Sequence, residues 1–308
     1  MLADVVELLV CPVCGGDLDL GERVLRCPAG HAFDVARQGY VSLLTGSRVP
    51  GTADSADMVA ARDAFLGAGH FAPLTEAVAD VCRTRVESTG RTSAEGVDRG
   101  GAEGSGRTGV RVVADAGAGT GHYLARALDL LPEAVGIALD VSKHAIRRAA
   151  RAHPRLGAVV ADVWRPLPLR SGSVDVLLNV FAPRNGAEFA RVLAGDGTLV
   201  VVTPTPRHLE PLVGRLGLLS VDEEKERRVA ESLGGHFVET GRSVHEFGMA
   251  LGHGAVEAVV GMGPSAWHTD PRAMRAKIAE LPETSEVTAS FHMSIFERHL
   301  RSSHTLDR

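Results

Sequence analysis

No run of 18 or more apolar residues occurs anywhere in the chain, so nothing in it is expected to span a bilayer. A strong charge imbalance is missing too. The 33 Lys and Arg against 38 Asp and Glu give a net charge of −5, which does not announce a general polyanion binder, and any basic patch must be local. The first ten residues hold two acids and no basic leader, so they do not read as a secretory signal, and the expected location is the cytoplasm. Cysteine is scarce. There are four, three of them within the first 27 residues, which makes a poor disulfide framework but suits a reducing compartment and a metal site. No internal repeat is present. What remains is 44% hydrophobic and 308 residues long, enough for one large α/β unit plus a smaller module at roughly 100–200 residues per domain.

The early cysteines have metal-ligand spacing. Cys11-Pro-Val-Cys14 and Cys27-Pro-Ala-Gly-His31 form a C-x2-C and a C-x3-H pair separated by twelve residues. Two tight turns, each offering two ligands, complete a tetrahedron, and soft thiolates with an imidazole favour zinc. All four positions are filled by protein, so the site reads as closed and structural, with one ion. Gly15 and Gly16 tolerate left-handed geometry after the second ligand. Leu18, Leu20, Val24 and Leu25 offer little core, so the metal should supply much of the module's folding free energy. This zinc-binding module is placed at residues 1–36.

Residues 37–86 read as a helical bridging segment. It has a polar loop at 45–53, a helix at 55–66 with Met58, Ala61 and Phe65 on one face, and a second helix after Pro73 with Leu74, Val78 and Val81 inward. From 87 to 109 the composition collapses to Gly, Ser, Thr, Arg and Glu, which reads as a flexible linker.

Residues 110–308 carry an α/β pattern. A strand at 111–115 ends in Asp115, and Gly117, Gly119 and Gly121 then alternate with small residues ahead of an amphipathic run beginning near Leu124. A dinucleotide fold wants G-x-G-x-x-G; here the third glycine comes one residue early. The stretch is similar to the first motif of Rossmann-like S-adenosylmethionine methyltransferases. A second strand, 134–140, also ends in an acid, and Asp140 there can accept both ribose hydroxyls of a nucleoside. A helix at 142–152 carries Lys143, Arg147, Arg148 and Arg151. A third strand, 158–162, ends in Asp162, which either holds the adenine amine or caps a turn. The fourth strand, 174–181, is continuously apolar as buried parallel strands are, and leads into Ala182-Pro-Arg184 at the edge where open α/β sheets bind ligands. A fifth strand covers 198–203, and 287–296 reads as a closing edge strand. The expected class is therefore α/β, a Rossmann-like class I S-adenosylmethionine methyltransferase domain with a small N-terminal zinc-binding domain.

Taken together with His31-Ala-Phe-Asp34, Gly39-Tyr-Val-Ser-Leu-Leu44, Asp54-Ser55, Ala64-Phe65, Gly69-His-Phe71, Leu139-Asp-Val-Ser-Lys143, Phe181-Ala-Pro183 and Pro206-Arg-His-Leu209, the chain resembles the 23S ribosomal RNA guanine-N1 methyltransferases, including the tylosin-resistance type of macrolide-producing bacteria. The resemblance covers nearly the whole length. It implies methylation of N1 of one guanine in hairpin 35 of 23S rRNA, near the macrolide site, with the zinc module gripping RNA. It also implies that Phe71, where the family often has Tyr, and His208 reach the cofactor, and that the backbone at Gly119 and Thr120 holds its methionine portion. A homodimer whose paired zinc modules frame the RNA is a further implication.

Guanine N1 must lose a proton before it attacks, and no residue is marked by sequence as the base. Asn179, Pro183 and Arg184 are the candidates for positioning the guanine, and Arg147, Arg148 and Arg184 for touching phosphate. Two other classes fit parts of the chain: a small-molecule methyltransferase braced by zinc, and a non-catalytic zinc-dependent RNA-binding protein. The intact glycine turn and Asp140 argue against the second.

Overall fold

A computed structural model describes residues 1–46, 53–92, 110–220, 231–267 and 269–299. The chain opens with a short helix α1 (Leu2–Val5) and a three-stranded antiparallel sheet of β1 (Asp19–Leu20), β2 (Val24–Arg26) and β3 (Ala32–Asp34). The Cys27–His31 turn joins β2 to β3, so one half of the metal quartet sits on a hairpin. Strand β4 (Val41–Ser42) then leaves this unit and pairs in parallel with β7 (Leu156–Val160) of the main sheet.

Two helices follow, α2 (Ala56–Gly67) and α3 (Ala72–Thr92). Ser55 caps α2 by accepting from the Met58 amide, and Pro73 sits in the first turn of α3, where no backbone N–H is required. Helix α3 runs to Thr92, so residues 87–92 are helical rather than linker. Once the apolar row ending at buried Val86 has formed the helix, each further residue adds a hydrogen bond with no new nucleation cost, so the helix carries on into the polar run. The rest of the expected linker, 93–109, and most of the polar loop, 47–52, lie outside the described residues.

The large sheet is built from β5 (Arg111–Ala116), β6 (Ala134–Asp140), β8 (Val174–Val180), β9 (Leu193–Pro204), β10 (Phe237–Gly252) and β11 (Thr284–Arg298), with β4 and β7 at one end. Its order is β10-β11-β9-β8-β5-β6-β7-β4. From β5 the chain builds outward through β6 and β7, then returns to β8 and builds the other way. The reversal between β5 and β8 opens a crevice at the carboxyl ends of the parallel strands, where such sheets bind ligands. Helices α4 (His122–Asp129), α5 (Lys143–Ala149) and α6 (Gly186–Val192) connect these strands, and α7 (Leu212–Leu216), α8 (His253–Gly261) and α9 (Pro271–Ala279) lie in the C-terminal third.

Strand β11 is not the edge expected for 287–296. It lies antiparallel between β9 and β10, and Val287, Ala289, Phe291, Met293 and Phe296 are all buried. The edge is β10, most of whose middle residues face solvent.

Each face of the sheet carries a core. On one, Phe65, Phe71, Leu74 and Val78 from α2, α3 and the loop between them pack with Leu124, Leu128 and Ile146. On the other, Leu2, Val5, Leu9, Leu18 and Leu25 pack with Ile137, Val159, Leu177 and Phe189. The small module thus borrows the sheet as its core. Leu9 bridges Leu169, the Val10 amide donates to the Pro168 carbonyl at 3.1 Å, and Arg170 pairs with Asp17 at 2.7 Å. Gly157 of β7 faces Val5 so closely that an added Cβ would lie 2.3 Å from Val5 Cγ2. Among the described residues no helix is long and apolar enough to cross a membrane.

Candidate zinc and methyl-donor sites

The ligand atoms of Cys11, Cys14, Cys27 and His31 all lie within 4.8 Å of one another. Zinc bonds of ~2.3 Å to sulfur and ~2.0–2.1 Å to nitrogen place tetrahedral neighbours ~3.8 Å apart for two sulfurs and ~3.6 Å for sulfur and nitrogen. The structure has Cys14 Sγ to Cys27 Sγ at 3.7 Å, Cys11 Sγ to His31 Nδ1 at 3.6 Å and Cys27 Sγ to His31 Nδ1 at 3.2 Å. The residues fit one structural zinc. Each turn is closed by its own backbone: Cys11 N–H donates to Gly16 O, and Cys27 N–H to His31 O. Gly15 and Gly30, at φ +72° and +89°, take the left-handed positions, whereas Gly16 does not.

The second site forms where β5 ends. Gly117, Gly119 and Gly121 all have positive φ, +91°, +54° and +78°. The first has a further reason to be glycine, since a Cβ there would lie 2.2 Å from Cβ of Ala182 in the loop after β8. The two loops that border the crevice are therefore in contact. Thr120 is buried in the same turn.

Asp140 ends β6 with both carboxylate oxygens oriented by backbone: Oδ2 accepts from Gly119 N–H and Oδ1 from Ser142 N–H, each at 2.8 Å. Each oxygen keeps a lone pair for a further donor. Asp115 is different. It is buried at the end of β5 and its Oδ1 has no hydrogen-bond partner among the described residues. Burial, and then the neighbouring Asp140 charge, push its carboxyl up to about 8. Close by, the buried Tyr123 hydroxyl is also without a partner. Two orphaned oxygens beside the glycine turn are what a missing polar ligand leaves behind, and a ribose with an amino-acid tail supplies donors for both. The site fits S-adenosylmethionine.

Asp162 caps its own turn, accepting from Trp164 N–H at 3.0 Å. Phe71 and His208 are brought together, with ring centroids 5.9 Å apart, inside an aromatic cluster that includes Phe65, Phe247 and Phe291. Phe71 is fully buried there. His208 packs at 4.6 Å against Phe291.

The guanine-positioning candidates separate. Asn179 is fully buried, and its Nδ2 donates to both Ala116 O and Pro183 O at 2.8 Å. It ties the end of β5 to the loop at 181–184 and so positions that loop. Pro183 is exposed on it. Arg184 is half-buried, forms no ion pair among the described residues, and leaves its Nε without a partner; desolvation lowers its pKa to about 10. On α5, Arg148 forms an exposed surface ion pair with Asp63 of α2.

Three residues at the crevice had no role assigned from sequence, although Asp54 and Phe181 stand in segments that carry the family resemblance. Phe181 holds φ +55° while leaving 42% of its surface exposed, with its ring 5.3 Å from Phe291 and 6.5 Å from Tyr123. Arg62 and Asp54 pair across the mouth of the glycine turn. A signal existed for Arg62: it shares an i, i+4, i+8 row with Met58 and Leu66, both buried, and a cation in such a row needs a partner.

Comparison with known proteins matches the two parts of the chain that carry these sites. Residues 9–46 match the zinc-ribbon family described as RlmA, N-terminal, and residues 113–197 match a methyltransferase domain. The chain is 52% identical to a putative 23S rRNA (guanine-N(1)-)-methyltransferase of Micromonospora griseorubida, over 96% of this chain and 98% of that one. It is 48% identical to the 23S rRNA (guanine(748)-N(1))-methyltransferase of Streptomyces fradiae, again over 96% and 98%. A putative 23S rRNA (guanine-N(1)-)-methyltransferase of Bacillus subtilis (strain 168), YxjB, is 33% identical over 65% of each chain.

Proposed function

Since the chain belongs to the 23S rRNA (guanine-N1)-methyltransferase family, we propose that it methylates N1 of a guanine in hairpin 35 of 23S rRNA, in the cytoplasm, and thereby contributes to resistance against tylosin-type macrolides. One observation carries the reading. The loop at 181–184, which would receive a base, lies directly against the glycine turn that would hold the methyl donor. Hairpin and guanine choice follow from the resemblance to the family, and the Streptomyces fradiae relative is named for guanine 748. The family resemblance also supports a homodimer in which paired zinc modules frame the RNA.

S-adenosylmethionine, when bound, supplies an electrophilic methyl group on a sulfonium. The chain's task is to align an in-line attack and keep water out. Asp140 takes the ribose hydroxyls, Gly119 and Thr120 the methionine portion, and Asp115 its ammonium, while Asp162 faces the adenine and Phe71 and His208 close the aromatic wall. Guanine N1 lies on the Watson–Crick edge, so the base must be unpaired or flipped out to be reached. Phe181 offers that base an exposed aromatic face at the crevice. Arg184, a half-buried guanidinium without a counter-charge among the described residues, favours the N1-deprotonated base, whose negative charge spreads onto O6, and the proton leaves to solvent.

Naked 23S rRNA incubated with the protein and labelled cofactor should take up label, and primer extension should stop within hairpin 35, because an N1 methyl blocks pairing. Labelling should fall steeply with salt. No stop in hairpin 35 would remove the site assignment. Absence of any rRNA label would favour a small-molecule acceptor instead.

The role of Phe181 has its own test. Base–aromatic stacking is worth about 1–3 kcal/mol, so Phe181→Leu should lower kcat/KM for rRNA by roughly 5–150-fold with cofactor affinity unchanged. Phe181→Trp should retain most activity. Unchanged kcat/KM in the leucine variant, or an equal loss of cofactor binding, would reject the stacking role.

A further inference from the structure

Arg62 departs from the pattern of its helix. Met58 and Leu66, one turn on either side in the same row, are buried in the core. The Arg62 side chain is only 25% exposed and lies across the glycine turn, with Cδ and Nη1 at 3.4 and 3.5 Å from where a Cβ on Gly119 would be. Its Nη2 donates to Met262 O, just past α8, at 3.0 Å, and its Nη1 donates to the Asp54 carboxylate. Asp54 is itself held, because its carbonyl accepts from Ser142 Oγ at 2.8 Å beside Asp140. A guanidinium has thus been fixed at the rim of the crevice by residues outside the central sheet, within reach of the glycine turn.

The backbone of a glycine turn offers N–H groups but no full positive charge, whereas the methionine portion of the donor ends in a carboxylate. A planar, always charged fork is the side chain best matched to a carboxylate. We infer that Arg62 binds the α-carboxylate of S-adenosylmethionine, with Asp54 and the Met262 carbonyl holding the guanidinium in register. The inference rests on placing the methionine portion at Gly119. It makes the bridging segment part of the cofactor site: α2 supplies the cation, Asp115 at the base of the crevice takes the ammonium, and the amino-acid tail lies between them.

Two ligands separate this role from a purely structural one. S-adenosylhomocysteine and its decarboxylated analogue, the adenosyl 3-aminopropyl thioether, share every group except the carboxylate. Titration calorimetry on the zinc-loaded, full-length protein should show the wild type preferring S-adenosylhomocysteine by about 10–100-fold, the range for a hydrogen bond to a charged group. Arg62→Gln should lose that preference, binding S-adenosylhomocysteine more weakly by the same factor and the analogue as before, and Arg62→Lys should recover part of it. Equal weakening of both ligands by Arg62→Gln would show a structural tie. The inference also fails if the wild type binds the two ligands equally, a comparison that needs no variant to fold. Binding of neither ligand by the wild type would instead overturn the cofactor placement.

Discussion

Replacing Cys27 with Ser is expected to collapse the N-terminal module and abolish rRNA methylation while leaving cofactor binding nearly intact. Cys27 Sγ lies 3.7 Å from Cys14 Sγ and 3.2 Å from His31 Nδ1 in the ligand tetrahedron, and the residue is buried. The strands it connects are only two or three residues long, and of the four apolar residues between the ligand pairs only Leu18 and Leu25 are buried. Apart from the sheet face it packs on, so small a unit has little to hold its ligand turns except its metal, whose apparent binding free energy in zinc-finger peptides is about 10–16 kcal/mol. Losing one ligand forfeits most of that. The damage should not reach the glycine turn, because the module packs against the sheet face that carries Ile137, Val159 and Leu177, whereas Tyr123 and Leu124 behind the turn pack on the other face. Zinc content, protease sensitivity of the first 40 residues or so, calorimetry with S-adenosylhomocysteine and rRNA labelling can be measured on one preparation. Zinc content should fall and proteolysis should become rapid. Labelling should drop on the order of 100-fold or more, with cofactor affinity changing only a few-fold. If labelling survives the loss of zinc, the module has no part in holding RNA.

Both halves of that experiment rest on features of different legibility. The metal quartet could be read from spacing, because ligands two or three residues apart are confined by covalent geometry to one turn. The glycine turn was equally local: three positive φ values and an acid closing each of two strands leave a mark in single residues. What could not be read is what those units touch. The Leu9–Leu169 bridge joins positions far apart in sequence, and β4 is a two-residue strand with no pattern of its own. For β11, the alternation of Val287, Ala289, Phe291, Met293 and Ile295 with Thr288, Ser290, His292 and Ser294 reads as a strand with one apolar face, as an edge strand would show, and nothing in it announced that β10 pairs on its far side. Arg62 illustrates the same limit at the site. Its row on α2 shows that it needs a partner, but one of its partners, Met262, lies two hundred residues downstream. Phe181 stood in a segment that carries the family resemblance, but its left-handed backbone and exposed ring could not be read, since nothing about a phenylalanine foretells that conformation.

Asp115→Asn should make the unliganded protein more stable and reduce the further stabilisation that bound cofactor brings. The Asp115 carboxyl is buried, its Oδ1 has no partner among the described residues, and burial followed by the Asp140 charge raises it from an unfolded value of 3.8 to about 8. For an acid raised on folding, the neutral form is the one the fold prefers. Its stabilising contribution is complete below pH 3.8 and is lost as pH rises through about 8. The wild-type melting temperature should therefore decline between pH 6 and 8.5, and the asparagine variant should decline less. At this chain length each kcal/mol moves the midpoint by about 2–4 °C, so a gain of about 3 °C or more for the unliganded variant at pH 8.5 is the expected scale. Ligand reverses the order. The ionised carboxylate that burdens the empty site is what the ammonium of the methionine portion needs, so the wild-type shift induced by S-adenosylhomocysteine should grow with pH over the same window. Asparagine keeps the shape and loses the charge; a charged hydrogen bond worth about 1.5–3 kcal/mol then disappears, and the ligand-induced shift should be small at both pH values. Thermal shifts of the two proteins at pH 6 and 8.5, with and without S-adenosylhomocysteine, decide the matter. An unliganded variant that melts no higher than wild type at pH 8.5 would count against the buried charge, and an undiminished ligand shift would count against its role in binding.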